Sequence, residues 1–274
     1  MFQINKNTLS FVLLFLLGLI WGSSFLFIKF TVISIEPITA VLLRMTVAAS
    51  CLFVYLKIQK IILPLEKKDI TNYFAIAILG NVLPFVLVTW AEVSINTNVT
   101  GIIMGLMPII TVFLAYFFVK EEKINVYTFI GILLGFGGLF FLLEIVKNGN
   151  NNFFFQGAVI LAAISFATAT IYTRKIPNFQ PIYILTGSTY FAFLMLIPLA
   201  FIFEDPLNTS ATSQSIIFGI VLGILNTAIG GLIFFKLIKL TGAAFTSTVN
   251  FIVPFIAIIW GYVFLSESLN TNQF

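Results

Sequence analysis

Few residues in this chain could make or break a bond, and the missing ones narrow the chemistry first. There is no histidine among the 274 residues, which removes HExxH zinc proteases, histidine-box oxygenases and serine–histidine hydrolases. The single cysteine, Cys51, has no partner for an intramolecular disulfide. No Asp or Glu stands at the centre of an apolar run; Glu92 and Glu144 fall near run ends. No nucleotide-binding loop is present either, so the chain reads as a non-enzyme with neither cofactor nor metal expected. What remains is binding chemistry: amides, aromatic rings, one deep cation, and backbone carbonyls freed by proline.

Asn81 and Asn226 each lie near the middle of an apolar run. Their amides could hold an ammonium or carboxylate group, or could hydrogen-bond between helices as structural glue. Trp21 is at the midpoint of the first run, too deep for an interfacial belt. It either walls a substrate path, where its face could hold a cation, or packs in the core. Pro108 and Pro254 each remove one backbone N–H and free the carbonyl four residues earlier, here Met104 and Asn250. In hydrocarbon a freed carbonyl must face protein or a water-filled cavity, so a gate or binding site stands beside an ordinary kink as the reading. Arg44 lies about 10 Å into its run at helical rise. Pairing with Glu36 or Glu92, or snorkelling to the outer surface, is its expected role, with attraction of a substrate carboxylate as the alternative. Lys29 is expected to snorkel as well. Without an embedded carboxylate, transport driven by the substrate gradient or by exchange is expected, and Glu92 is the residual candidate for ion coupling.

The elements that must position these residues follow from composition. The chain is 60% hydrophobic and 9% charged with a mean hydropathy of +1.10, more apolar surface than a soluble domain of this length could hide. It is therefore expected to be a polytopic membrane protein in contact with the lipid bilayer, with no role on nucleic acid. Nine runs have spanning length: Leu9–Ile33, Ile38–Leu56, Ile70–Trp90, Val99–Val119, Val126–Leu143, Phe153–Thr173, Ile182–Phe203, Ile216–Phe235 and Ala243–Leu265. Eleven of the fourteen Lys and Arg residues fall on the side of the N-terminus, whereas the opposite loops carry Lys147 with Glu36, Glu92, Glu204 and Asp205. That bias predicts a cytoplasmic N-terminus in the plasma (inner) membrane. GxxxG pairs at Gly18/Gly22, Gly101/Gly105, Gly131/Gly135 and Gly219/Gly223 predict close helix packing, and the Gly131–Gly138 face is a candidate for a homodimer.

The runs repeat. Met104–Glu121 returns as Asn250–Glu267, with Pro108 and Pro254 146 residues apart and Glu121 and Glu267 the same. Leu19–Lys29 likewise aligns with Ile164–Arg174, placing Trp21 over Phe166. Five spans per unit is an odd number, so the second unit must enter the membrane upside down. The expected fold is an all-α membrane protein of two inverted five-helix repeats, 1–147 and 148–274. Nine of the ten spans are present, and the second unit has no counterpart of Val126–Leu143. A truncated tenth span is the favoured explanation, beside a natural nine-span variant.

WGSSFLFIK at 21–29, EPITAVLLRMTVAA at 36–49 and the repeated Pro108…Glu121 and Pro254…Glu267 blocks together resemble the drug/metabolite transporter superfamily, in its EamA-type branch. The resemblance covers almost the whole chain. It implies a ten-span, two-repeat carrier that exports or exchanges amino acids and related small metabolites. Carriage of nucleotide-linked or phosphorylated sugars is the alternative within transport, and a non-transporting structural role the alternative outside it. Phe166 departs from the tryptophan often found in the second copy of this family. The substrate path expected from these residues is lined by Trp21, Asn81, Phe166, Asn226 and the two proline-broken helices.

Overall fold

The computed structural model describes residues 6–119, 130–131, 133–138 and 152–267, and among them every regular element is helical. Eight helices are long and apolar enough to cross a bilayer: α1 (Asn7–Thr31), α2 (Pro37–Gln59), α3 (Lys67–Glu92), α4 (Thr97–Phe118), α5 (Phe153–Lys175), α6 (Pro181–Phe203), α7 (Ser213–Thr241) and α8 (Ala243–Leu265). They correspond to eight of the nine predicted runs. The remaining one, Val126–Leu143, falls largely outside the described residues, as do Glu121 and Glu144. Phenylalanines such as Phe113, Phe117 and Phe201 stay exposed on the bundle's outer surface, as expected where the solvent is lipid rather than water.

The helix ends are built from ordinary capping chemistry. Pro37 and Pro181 stand at the first turns of α2 and α6, where a missing N–H costs nothing. Asn152 and Thr212 accept hydrogen bonds from Phe154 N and Ser215 N at the starts of α5 and α7. Gly242 joins α7 to α8 at φ 92°, a backbone state that costs glycine little. Two carboxylates that follow helices cap other helices. Glu204, after α6, accepts from Ile38 N at 2.8 Å and Thr39 N at 2.7 Å at the start of α2. Glu267, after α8, accepts from Thr97 N at 2.9 Å and Asn98 N at 3.2 Å at the start of α4. An anion on a helix N-terminus satisfies orphan donors and complements the macrodipole.

Helices of the first half pack mainly on helices of the second. The broad contacts are α1 on α7 and α8, α2 on α6 and α7, α3 on α5 and α6, and α4 on α5 and α8. Small residues set these approaches, as the GxxxG spacing predicts. Gly18 and Gly22 of α1 receive Ile252 and Ile256 of α8, and Gly219 and Gly223 of α7 receive Leu43 and Val47 of α2. A Cβ on Gly223 would come within 2.8 Å of the Arg44 carbonyl, so the glycine lets α2 lie against α7 where Arg44 points inward. The interleaved bundle leaves central space bordered by all eight of these helices.

Replacing Gly22 by Leu places a side chain where Ile256 now sits, and overpacking costs roughly 1–3 kcal/mol. Gly22→Leu is expected to lower the thermal unfolding midpoint in detergent, whereas Gly137→Ala, whose added Cβ meets nothing within 4 Å among the described residues, is expected to leave it unchanged.

Candidate substrate pocket

Four of the central helices are irregular where they pass the middle of the bundle. In α3 and α7 the backbone widens into π-helix at Ile78–Val82 and Leu222–Ile229, a form common at functional sites. In α4 the helix stops at Met104 and restarts at Met107, just before Pro108. In α8 it breaks at Thr248, six residues before Pro254. Neighbouring side chains serve the loosened backbone. Ser165 Oγ donates to Leu79 O at 2.7 Å, Trp21 Nε1 to Asn226 O at 3.1 Å, and Thr227 Oγ1 to Leu222 O at 3.0 Å.

Two cavities flank these interruptions. The first is lined by Trp21, Ser24, Arg44, Phe85, Met104, Phe166 and Asn250, among others. It lies toward the end of the bundle that carries Glu36, Glu92 and Glu204. The second is lined by Trp21, Asn81, Phe85, Phe166, Asn226 and Phe234 among others, toward the end with Lys57, Lys175 and Lys239. Trp21, Phe85 and Phe166 border both, so three rings form the layer between them. Phe85 and Phe166 meet edge to face at 5.4 Å.

Arg44 departs from its expected role. It neither pairs with Glu36 or Glu92 nor reaches the surface: it is buried, its Nε donates to Thr227 Oγ1 at 2.6 Å, and its guanidinium carbon lies 3.8 Å from the Phe85 ring centroid. Phe85 offers the negative face of its π system, which steadies the cation without neutralising it. Glu36 is engaged elsewhere, accepting from Asp205 N, and both Glu92 carboxyl oxygens lack a hydrogen-bond partner among the described residues. Lys29 does not snorkel either. Its Nζ donates to Glu92 O at 2.6 Å and Ile95 O at 3.1 Å, closing the C-terminal end of α3. The expectation that no carboxylate is embedded also fails, because Glu92 is 0% exposed. Its place near the end of a span does not bring it to the surface, since α1 and the turn after α8 fold over that end.

The other candidates divide between the cavities. Met104 and Asn250 meet at the first one, where Asn250 Nδ2 also donates to Met107 Sδ at 3.1 Å and so ties the two broken helices together. Pro108 and Pro254 are buried behind the walls. Asn226 acts as glue as well as lining: its side-chain amide donates to Ile20 O. Asn81 Nδ2 has no hydrogen-bond partner among the described residues, and the residue borders the second cavity. Phe85, Ser24 and Thr227 were not singled out from the sequence; Phe85 lies one turn beyond Asn81 on the face already marked, which is the signal that could have found it.

With the geometry in place, the comparisons carry weight. A family model described as the EamA-like transporter family matches residues 8–144 and matches again over 156–274. The chain belongs to the EamA-like transporter family. Among relatives of this EamA chain, an uncharacterized transporter of Bacillus subtilis (strain 168), YoaV, is 25% identical over 257 residues, covering 93% of this chain and 88% of that one. Protein PagO of Salmonella typhimurium is 26% identical over 266 residues, covering 94% and 87%. A solved crystal structure superposes with a TM-score of 0.76 at 14% identity over 94% of this chain and 88% of that one, a likeness of fold. This EamA chain is thus a multi-pass membrane protein of a transporter family.

The two asparagines are expected to respond differently to replacement. Asn226→Leu removes the bond to Ile20 O and is expected to cost about 1–3 kcal/mol, read as a lower unfolding midpoint. Asn81→Leu removes an amide N–H pair that has no acceptor and is expected to leave the midpoint unchanged or higher.

Proposed function

We propose that this chain is a carrier that exports or exchanges amino acids and related small metabolites by alternating access, with Arg44 holding the substrate carboxylate. The observation that carries this reading is a buried guanidinium without a carboxylate partner among the described residues, lining a cavity beside three aromatic rings. A guanidinium presents several N–H donors in a fixed plane, and Nε alone is taken by Thr227. A carboxylate entering the cavity would meet the remaining donors, while Trp21 and Phe166 offer an apolar wall for the rest of the molecule. Phosphorylated or nucleotide-linked sugars suit the site less, because among the described residues Arg44 is the one charged side chain lining either cavity.

The halves 1–147 and 148–274 are read as inverted repeats that rock about the aromatic layer. Support comes from the family pattern occurring twice, and from π-helical segments around both Asn81 and Asn226. In this reading the N-terminus is cytoplasmic in the plasma membrane. The first cavity then faces outward and the second faces the cytoplasm, consistent with the lysines at that end. Trp21, Met104, Asn250, Phe166 and Arg44 meet the substrate from one side. Asn81 and Asn226 line its path on the other, and Pro108 and Pro254 set the breaks in α4 and α8.

The test is counterflow in proteoliposomes against a panel of labelled amino acids, purines and sugars. Carboxylate-bearing members are expected to exchange, and Arg44→Gln is expected to lower that exchange at least tenfold, corresponding to about 1.4 kcal/mol. Arg44→Lys, which keeps the charge but not the planar fork, is expected to restore only part of it. Exchange by Arg44→Gln at the wild-type rate, or no exchange of any panel member, contradicts the reading.

A further inference from the structure

We infer that Glu92 is a proton-binding site of the transport cycle, set one helical turn from the Arg44 pocket. Its part in transport rests on the carrier reading above; the proton site itself does not.

Glu92 is fully buried, and neither carboxyl oxygen has a hydrogen-bond partner among the described residues. The residue one turn earlier on the same face of α3, Val88, lines the Arg44 cavity. Lys29 of α1 and Glu267, just after α8, are the charged groups whose fields reach it. Both are already committed. The Lys29 ammonium sits on the main-chain carbonyls of Glu92 and Ile95 rather than on the carboxylate, and Glu267 accepts from Thr97 N and Asn98 N at the start of α4. The remaining elements packed here add little charge. The spans of α4 and α8 carry no charged residue, and α5 none before Arg174. On α2, Arg44 is engaged with Thr227 and Phe85, and Glu36 at its start accepts from Asp205 N.

An ionised Glu92 would be a buried carboxylate with no hydrogen-bond donor on either oxygen among the described residues, an arrangement that buried groups avoid. The step is the simplest possible: a carboxylate takes one proton from water to become a carboxylic acid, and no other bond changes. Releasing that proton makes a carboxylate that needs water or a donor. It therefore favours an arrangement in which the end of α3 admits water, whereas binding it favours the arrangement described here, with Glu92 buried. Protonation of Glu92 thereby biases access to the neighbouring pocket.

Dicyclohexylcarbodiimide, an apolar carbodiimide that reacts with protonated carboxyl groups inside membranes, is the probe. The full chain in proteoliposomes is treated at acid, neutral and alkaline pH, and the modified peptide is located by mass spectrometry. Labelling is expected at Glu92, decreasing as pH rises, absent from Glu267, and lost in Glu92→Gln. Glu92→Asp, which retains the carboxyl group, is expected to remain labelled and serves if Glu92→Gln fails to fold. Labelling that misses Glu92 at every pH, or that is independent of pH, overturns the site. In the same vesicles, an imposed pH gradient is expected to change net uptake of an exchanging amino acid, and Glu92→Gln is expected to abolish that change. Amino-acid counterflow that persists while the pH gradient has no effect overturns the coupling and leaves the carrier reading standing. Absent counterflow with pH-dependent labelling intact counts against the carrier reading and supports the proton site.

Discussion

Hydrocarbon offers no hydrogen bonds, and that constraint governs the centre of this molecule. A helix crossing lipid can be interrupted only where protein or a cavity takes up its freed backbone groups. The interruptions in α3, α4, α7 and α8 all lie in the interior, and the side chains beside them are chosen to serve them. Ser165 reaches Leu79 O, Trp21 reaches Asn226 O, and Thr227 reaches Leu222 O. The same residues then build the walls. Trp21 is both a donor to the π-helical turn of α7 and part of the aromatic layer between the two cavities, and Thr227 both closes that turn and orients Arg44.

Arg44 is a costly group to bury. Its desolvation is offset by one short hydrogen bond and by the Phe85 ring, not by a carboxylate. A buried cation held this way keeps most of its capacity to attract an anion, which a tight ion pair would consume. The broken helices add carbonyls and thioethers at Met104 and Met107 but no charge. The pocket thus combines one fixed cation, apolar rings and adaptable methionines, a combination suited to small amphipathic carboxylates of varied side chain.

The spans were legible because twenty-residue apolar runs admit few other readings in a chain of this composition. The proline breaks were legible in kind, since the missing N–H is a property of the residue. Their positions were less so. The break in α8 falls at Thr248 rather than at the carbonyl of Asn250, because the helix can redistribute the strain over a turn. The π-helical segments had no residue signature beyond Asn81 and Asn226, which sequence reasoning marked for their amides and not for the backbone around them. Arg44, Lys29 and Glu92 were misjudged for one shared reason. Depth along a helix can be counted from sequence, but the direction a side chain faces, and what folds over it, depends on neighbours distant in the chain. Glu267 meets Thr97 across 170 residues, and no local pattern records that meeting.

The central claim is that two cavities lie on opposite sides of one aromatic layer and open to opposite sides of the membrane. Single cysteines placed by Ser24→Cys and Asn81→Cys in a Cys51→Ala background report on it directly, using a membrane-impermeant thiol reagent on oriented vesicles. The account predicts that position 24 reacts from the outer side and position 81 from the cytoplasmic side, with an exchanging amino acid slowing both. Reaction of both positions from the same side would contradict it.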